Sequence, residues 1–214
     1  MLSDLLRWKR QPDGSGNAPR PKGEESVLPT KALPKFLAAI GQQPDSPLLL
    51  DLGPVIGSNV EFFGERLGCK LFIEDLFADY DRHVRASTLP ELSGAIASRF
   101  RHDDQSVDGV LCWDFFDFLD KTAVQALAHQ IVRMLRPGGA VMGFFTTTAA
   151  DRAPFTKYEV VDDASLRHRH HAGAGGRKHV LANRDIINAF EGLIVAESFL
   201  LKNNTREILL RRKA

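Results

Sequence analysis

The residues able to do chemistry gather at the ends of apolar segments. Leu48-Leu49-Leu50-Asp51-Leu52 is a continuous apolar run carrying one acid, and Gly53-Pro54-Val55-Ile56-Gly57-Ser58-Asn59 follows it. A loop leaving a buried strand at the carboxyl edge of a sheet sits where α/β proteins bind ligands. Glycine there lets the backbone approach a ligand closely. Glu74 closes the next apolar segment, 23 residues after Asp51, with Asp75 beside it as the alternative. An acid near that distance can accept the hydroxyl protons of a ribose. A third group, Trp113-Asp114-Phe115-Phe116-Asp117-Phe118, follows the apolar run Val107–Cys112. Ring faces attract cations, which suits Trp113 or Phe115. Asp114 or Asp117 can act as a base or orient a nucleophile. Core packing is the competing reading of the phenylalanines, and it weighs equally for Trp113 and Asp114. The first loop is not a GxGxxG, which disfavours a nicotinamide enzyme.

The elements that must position these residues are legible from periodicity. Residues 35–40 read as a helix closed by Gly41, 48–52 as a strand buried on both faces, and 59–67 as a helix stopped by Gly68. A short strand at 70–74, helices at 75–86 and 91–99, and a strand at 107–113 follow. No convincing third strand lies between Pro90 and His102. Residues 123–135 carry apolar positions at helical spacing, and Arg136-Pro137-Gly138-Gly139 ends that helix before a strand at 140–145. The β-α-β-α alternation predicts a doubly wound, mostly parallel sheet. Segments 158–161 and 166–168 read as a polar ribbon. Asn183 reads as the cap of a helix over 184–190, and 195–201 with 206–210 as an antiparallel hairpin.

The order of these motifs resembles the class I S-adenosylmethionine-dependent methyltransferases over roughly residues 45–214. Leu50–Asn59 resembles the first motif of that family and Glu74 its second-strand acid. Asp104–Val110 resembles the lead-in to the fourth strand, and Leu135–Gly139 the turn before the fifth. The resemblance implies a Rossmann-like α/β fold with a C-terminal hairpin, its third strand short or absent. It implies S-adenosylmethionine as cofactor, held by Asp51, Gly53, Pro54, Gly57, Asn59, Glu74 or Asp75, with Asp104 and Trp113 near the adenine. It implies methyl transfer to a small molecule, with Asp114 and Asp117 as candidate bases. Two departures stand out. Val55 replaces the loop's middle glycine, and the Asn/Asp-Pro-Pro-Tyr motif of many amino methyltransferases is missing. Val55 and the missing third strand motivate the alternative of an inactive methyltransferase-like binding or regulatory module.

Bulk properties exclude little else. A net charge of +1 over 214 residues gives no global field for nucleic acid or anionic membrane. Cys69 and Cys112 lie beside apolar sequence without metal spacing, as small buried fillers in a reducing compartment. No apolar run has membrane-span length, so a cytoplasmic protein is expected. Residues 1–34 read as a flexible extension and 35–214 as the domain. Leu2, Leu5, Leu6 and Trp8 could line one side of a short helix, either a frayed terminus or a docking or membrane-surface helix. The segment 150–180 reads as a substrate flap. His168, His170, His171 and His179 lie among Arg167, Arg169, Arg177 and Lys178. No metal is expected there. The open readings are an anion-binding flap, which would favour an anionic substrate, and a plain solvated hairpin.

Overall fold

A computed structural model describes residues 25–42, 46–170 and 175–214. In chain order the elements are β1 (Ser26–Pro29), α1 (Ala32–Ile40), β2 (Leu48–Asp51), α2 (Gly57–Leu67), β3 (Lys70–Ile73), α3 (Leu76–Ala86), α4 (Leu92–Arg99), β4 (Val107–Trp113), α5 (Lys121–Met134), β5 (Leu135–Thr146), β6 (Ala150–Ala153), β7 (Thr156–Asp162), β8 (Ser165–His170), β9 (Gly176–Lys178), α6 (Asn183–Ala189), β10 (Leu193–Leu200) and β11 (Thr205–Arg212). Six strands form the main sheet in the order β10-β11-β5-β4-β2-β3. The four strands from β3 to β5 are parallel, and β10–β11 is the antiparallel finish.

Strand pleating sends alternate residues to opposite faces, and each face buries its own core. Leu50, Val110, Cys112, Val141, Phe145 and Ile208 face the layer of α3, α4, α5 and α6. Leu49, Leu111, Trp113, Met142, Phe144 and Leu209 face α1, α2 and a second, three-stranded sheet ordered β1-β8-β7. Close approach of α1 to the sheet requires Gly109, because a side chain there would run into Phe36, Ile40 and Leu49. β6 and β9 pair as a small separate ribbon.

The chain leaves β2 toward β3 on one side and returns through α3 and α4 to β4 on the other. The strand order therefore reverses between β2 and β4, which creates a crevice at their carboxyl ends. Between Ala86 and Val107 stand a 3-10 turn at Leu89–Glu91 and α4, with no strand, and β3 forms the sheet edge.

Three expectations need correction. Residues 26–34 are not part of a flexible extension: β1 pairs antiparallel with β8, and α1 begins at Ala32. Neither is marked locally in the sequence, because the partner of β1 lies about 140 residues away. The amphipathic segment at Leu2–Trp8 lies outside the described residues. Asn183 does not cap α6. Ala182 precedes that helix without a side-chain cap, and the Asn183 amide oxygen instead accepts from Arg206. The Arg136-Pro137-Gly138-Gly139 segment belongs to β5, which starts directly after α5.

That segment is held by long-range bonds at the amino edge of the sheet. Arg136 Nη1 reaches the buried Asp108 carboxylate at 3.2 and 3.3 Å, and Asp108 Oδ2 accepts the Leu48 amide at 2.8 Å. A second buried acid, Glu207 on β11, takes the start of α1. Its Oε2 accepts the amides of Lys31 at 2.7 Å and Ala32 at 2.8 Å. These are unpaired donors at the positive end of a helix, so a buried carboxylate suits them. Glu207→Ala leaves both donors without that partner and should lower unfolding free energy by roughly 2–4 kcal/mol. Urea unfolding with an unchanged midpoint would contradict this role.

Candidate functional site at the sheet switch point

Asp51 ends β2 and is buried. Its Oδ1 accepts the Gly53 amide at 2.8 Å and the Trp113 indole N–H at 2.6 Å. One oxygen thus fixes the turn into α2 and the end of β4 together. The indole lies against Gly53: a Cβ on that glycine would stand 2.7 Å from Trp113 Cδ1. Trp113 adopts φ +50°, in the left-handed region costly for a non-glycine residue, at an irregularity in the β4–β5 pairing. The ring stacks on Tyr158 of β7, with centroids 5.3 Å apart and planes 5° from parallel. Asn59 holds β7 in place. Its side-chain amide donates to Tyr158 O at 2.9 Å and accepts from Val160 N at 2.8 Å.

The next residues form a buried charged cluster. Asp114 Oδ2 stands 2.5 Å from Lys178 Nζ, and Asp117 Oδ2 is 3.5 Å from the same nitrogen. Both Asp117 oxygens also accept the Thr146 amide, at 3.0 and 3.1 Å. Lys178 lies 4.9 Å from the centroid of Phe118. Among the described residues Asp114 Oδ1 has no hydrogen-bond partner. Beyond Asp117 a cleft of about 570 Å³ opens between α5 and α6, lined by Leu119, Asp120, His179 and Leu181 among others.

No protein-family model and no curated protein matches the sequence. Solved structures do match. The CcbJ methyltransferase of Streptomyces caelestis superposes with a TM-score of 0.50 at 13% identity, over 84% of this chain and 93% of that one. The PH0226 protein of Pyrococcus horikoshii OT3 gives a TM-score of 0.50 at 15% identity, over 84% and 89% of the two chains. The chain has a class I methyltransferase fold.

Within the methyltransferase fold, the residues expected at the site divide. Asp51, Gly53, Trp113 and Asp114 meet at the switch point, with Asp117 behind Asp114. Pro54 is half-buried, while Val55, the departure from the family loop, is 66% exposed and points away from the core. Gly57 opens α2, and a small cavity lies between that turn and Lys157, Glu159 and Arg169. Asn59 spends its amide on β7. Glu74 stands just past β3, but its carboxylate meets Arg99 Nε at 3.1 Å and His102 Nε2 at 3.7 Å. Asp75 caps α3 by accepting the Ala78 amide at 3.1 Å. Asp104 does not join the group. It precedes β4, so it sits at the amino edge of the sheet, paired with Arg133 at 2.6 Å.

The basic segment also differs from an open anion site. Arg167 pairs with Glu159 at 2.9 Å, and Arg169 pairs with Glu25 and Glu159, each at 3.1 Å. His168 packs edge-on against Tyr158, where burial lowers its pKa. His171 lies outside the described residues. Among the described residues no group of three or more His, Cys, Asp and Glu could hold a metal. Cys112 is buried and Cys69 half-buried, and burial raises the pKa of both thiols.

Sequence reading missed Tyr158, Lys178 and Arg99. Lys178 stood in a recognised basic run, but only the ribbon β6–β9 turns it inward toward Asp114. Tyr158 was one aromatic in a polar strand, with no local sign of a ring partner 45 residues earlier.

Burial lifts two of these acids. Asp51 rises from 3.8 to about 6, although the Gly53 and Trp113 donors oppose the shift. Asp117 rises to about 7 through burial and then the Asp114 charge, opposed by Lys178 and Thr146. Between about pH 4 and pH 7 the native chain therefore holds protons that the unfolded chain has released. The stability these groups contribute is complete below about pH 4 and is lost as pH rises through 6 and 7. Urea unfolding free energy should fall from about pH 5 to about pH 8, with Asp117→Asn flattening part of that slope. Identical slopes in the two proteins would contradict the Asp117 shift.

Proposed function

We propose that the chain binds S-adenosylmethionine at the switch point and transfers its methyl group to a small-molecule acceptor. The convergence of Asp51, Gly53, Trp113 and Asp114 at the reversal of strand order, with Glu74 on the neighbouring strand, carries this reading. The residues suit that cofactor in kind. The Gly53–Gly57 backbone would hold its amino-acid end, with Asp51 and Asn59 fixing the loop. Glu74, whose side chain remains 24% exposed, would accept the ribose hydroxyls while sharing Arg99. The space against Gly53 is filled by Trp113, and the fit requires that ring to move.

The cofactor supplies a methyl group already activated by the sulfonium charge. The protein's task is then to orient and desolvate the acceptor and take its proton. Asp117, its proton affinity raised toward neutrality, and Asp114, whose Oδ1 has no partner among the described residues, are the groups for that task. Lys178 balances their charge. The cleft lined by Leu119, Asp120 and His179 adjoins this cluster, since the His179 amide donates to Asp117 O at 2.7 Å. It is the natural place for a small acceptor. Among the described residues no helix is long and apolar enough to cross a membrane.

A second reading is a methyltransferase-like module that binds without catalysing. Trp113 over Gly53 and Arg99 on Glu74 favour it, because both occupy groups the cofactor would use. Calorimetry with S-adenosylmethionine and S-adenosylhomocysteine tests the first reading. Saturable binding is expected, and Glu74→Ala should weaken it at least about tenfold, roughly 1.4 kcal/mol. No heat at millimolar ligand would defeat the proposal. Binding without turnover on a metabolite panel would favour the module.

A further inference from the structure

We propose that Trp113 is a built-in plug: its indole competes with the cofactor for the face of Gly53, and the cofactor enters by displacing the ring and loosening the β1-β8-β7 sheet from it. The inference rests on the S-adenosylmethionine reading above and adds a self-occluded state to it.

Four observations carry it. The first is steric. A single carbon on Gly53 would stand 2.7 Å from Trp113 Cδ1 and 2.8 Å from Nε1. No ligand atom fits between that glycine and the ring, so ring and ligand exclude each other there. The second is the backbone. Trp113 is one of four non-glycine residues at positive φ among the described residues, and the only one in a strand. It ends β4 where the pairing with β5 shifts register between Leu111 and Trp113. A return to extended φ relieves the strain and redirects the side chain, so a second position is accessible without unfolding β4.

The third observation is that the plug is held by two specific contacts. Asp51 accepts its N–H at 2.6 Å, and Tyr158 stacks on the ring. The fourth is that Tyr158 belongs to a strand fastened by Asn59 to the first turn of α2, which follows the Gly53 loop. Loop, plug and outer sheet therefore form one unit. A ligand pressing on Gly53 displaces the indole, which loses its stack, and the clamp between Asn59 and β7 is the next contact to yield.

A cofactor that binds only the unplugged state shows an apparent Kd raised by the small fraction of molecules unplugged. Removing the plug should therefore tighten binding. Calorimetry with S-adenosylhomocysteine should give a Kd at least about tenfold lower for Trp113→Ala than for the unaltered chain. Tyr158→Leu, which removes the stack but keeps the indole on Asp51, should show a smaller gain. The sequence has two tryptophans, so Trp8→Phe leaves Trp113 as the sole reporter. In that protein S-adenosylhomocysteine should shift Trp113 emission to the red, saturating with the calorimetric Kd. Circular dichroism checks that each variant folds. If Trp113→Ala does not fold, Tyr158→Leu and the emission titration decide. Equal or weaker binding by the folded variants, or binding with Trp113 emission unchanged, overturns the plug and leaves the cofactor reading intact. No binding by the unaltered chain and its variants alike overturns the cofactor reading, and the plug with it.

Discussion

One carboxylate oxygen ties the site together. Asp51 is buried at the end of β2, and its Oδ1 accepts both the first amide of the turn into α2 and the indole N–H at the end of β4. A buried acid without donors would be severely destabilising, whereas two good donors make it tolerable. The consequence is geometric. The two strands flanking the switch point end at one shared acceptor, so the loop and Trp113 cannot be positioned independently. Burial still outweighs the donors, so the Asp51 carboxyl holds its proton more tightly than an exposed acid does.

The same device recurs at other joints of the fold. Asp108 ties the start of β2 to Arg136 in β5, and Glu207 ties β11 to the start of α1. Each is a buried acid on a central strand whose donors come from a distant segment. The parallel strands are thus pinned at both edges by carboxylates, while their middles are held by apolar side chains on two faces. Polar groups fix where elements begin and end, and the hydrophobic cores supply most of the driving force.

Having no strand between α3 and β4 changes the neighbourhood of Glu74. With β3 at the sheet edge, the chain passes through α4 and returns with Arg99 and His102 beside the Glu74 carboxylate. Arg99 also bonds the Glu74 carbonyl at 2.8 Å and pairs with Asp79. The segment that replaces a strand therefore supplies the counter-charge for the acid at the strand's carboxyl end. On the opposite side of the loop, the β1-β8-β7 sheet supplies Tyr158 as a lid on Trp113. Its arginines are balanced internally by Glu159 and Glu25, so this sheet acts through its rings and its backbone rather than as a positive surface.

Local patterning was enough to specify the sheet, its flanking helices, the C-terminal hairpin and the strandless stretch before β4. Those features follow from short-range periodicity: the continuous apolar runs of buried strands, the helical spacing of Val124, Leu127 and Ile131, and glycine at helix ends. The same patterning placed Asp51, Gly53, Trp113 and Asp114 at strand ends, where a doubly wound sheet gathers its ligand-binding groups. It could not specify what those groups touch. Asp104 reads like a site acid until the sheet direction puts it at the opposite edge. Lys178, Tyr158 and Arg99 carry no local mark, because each acquires its role from a residue tens of positions away. The first loop is the clearest case. The sequence by itself determined that a glycine turn follows a buried acid. Only the tertiary structure decided that a tryptophan from another strand lies across it, because sheet order, the positive φ of Trp113 and the stack on Tyr158 are set by long-range packing.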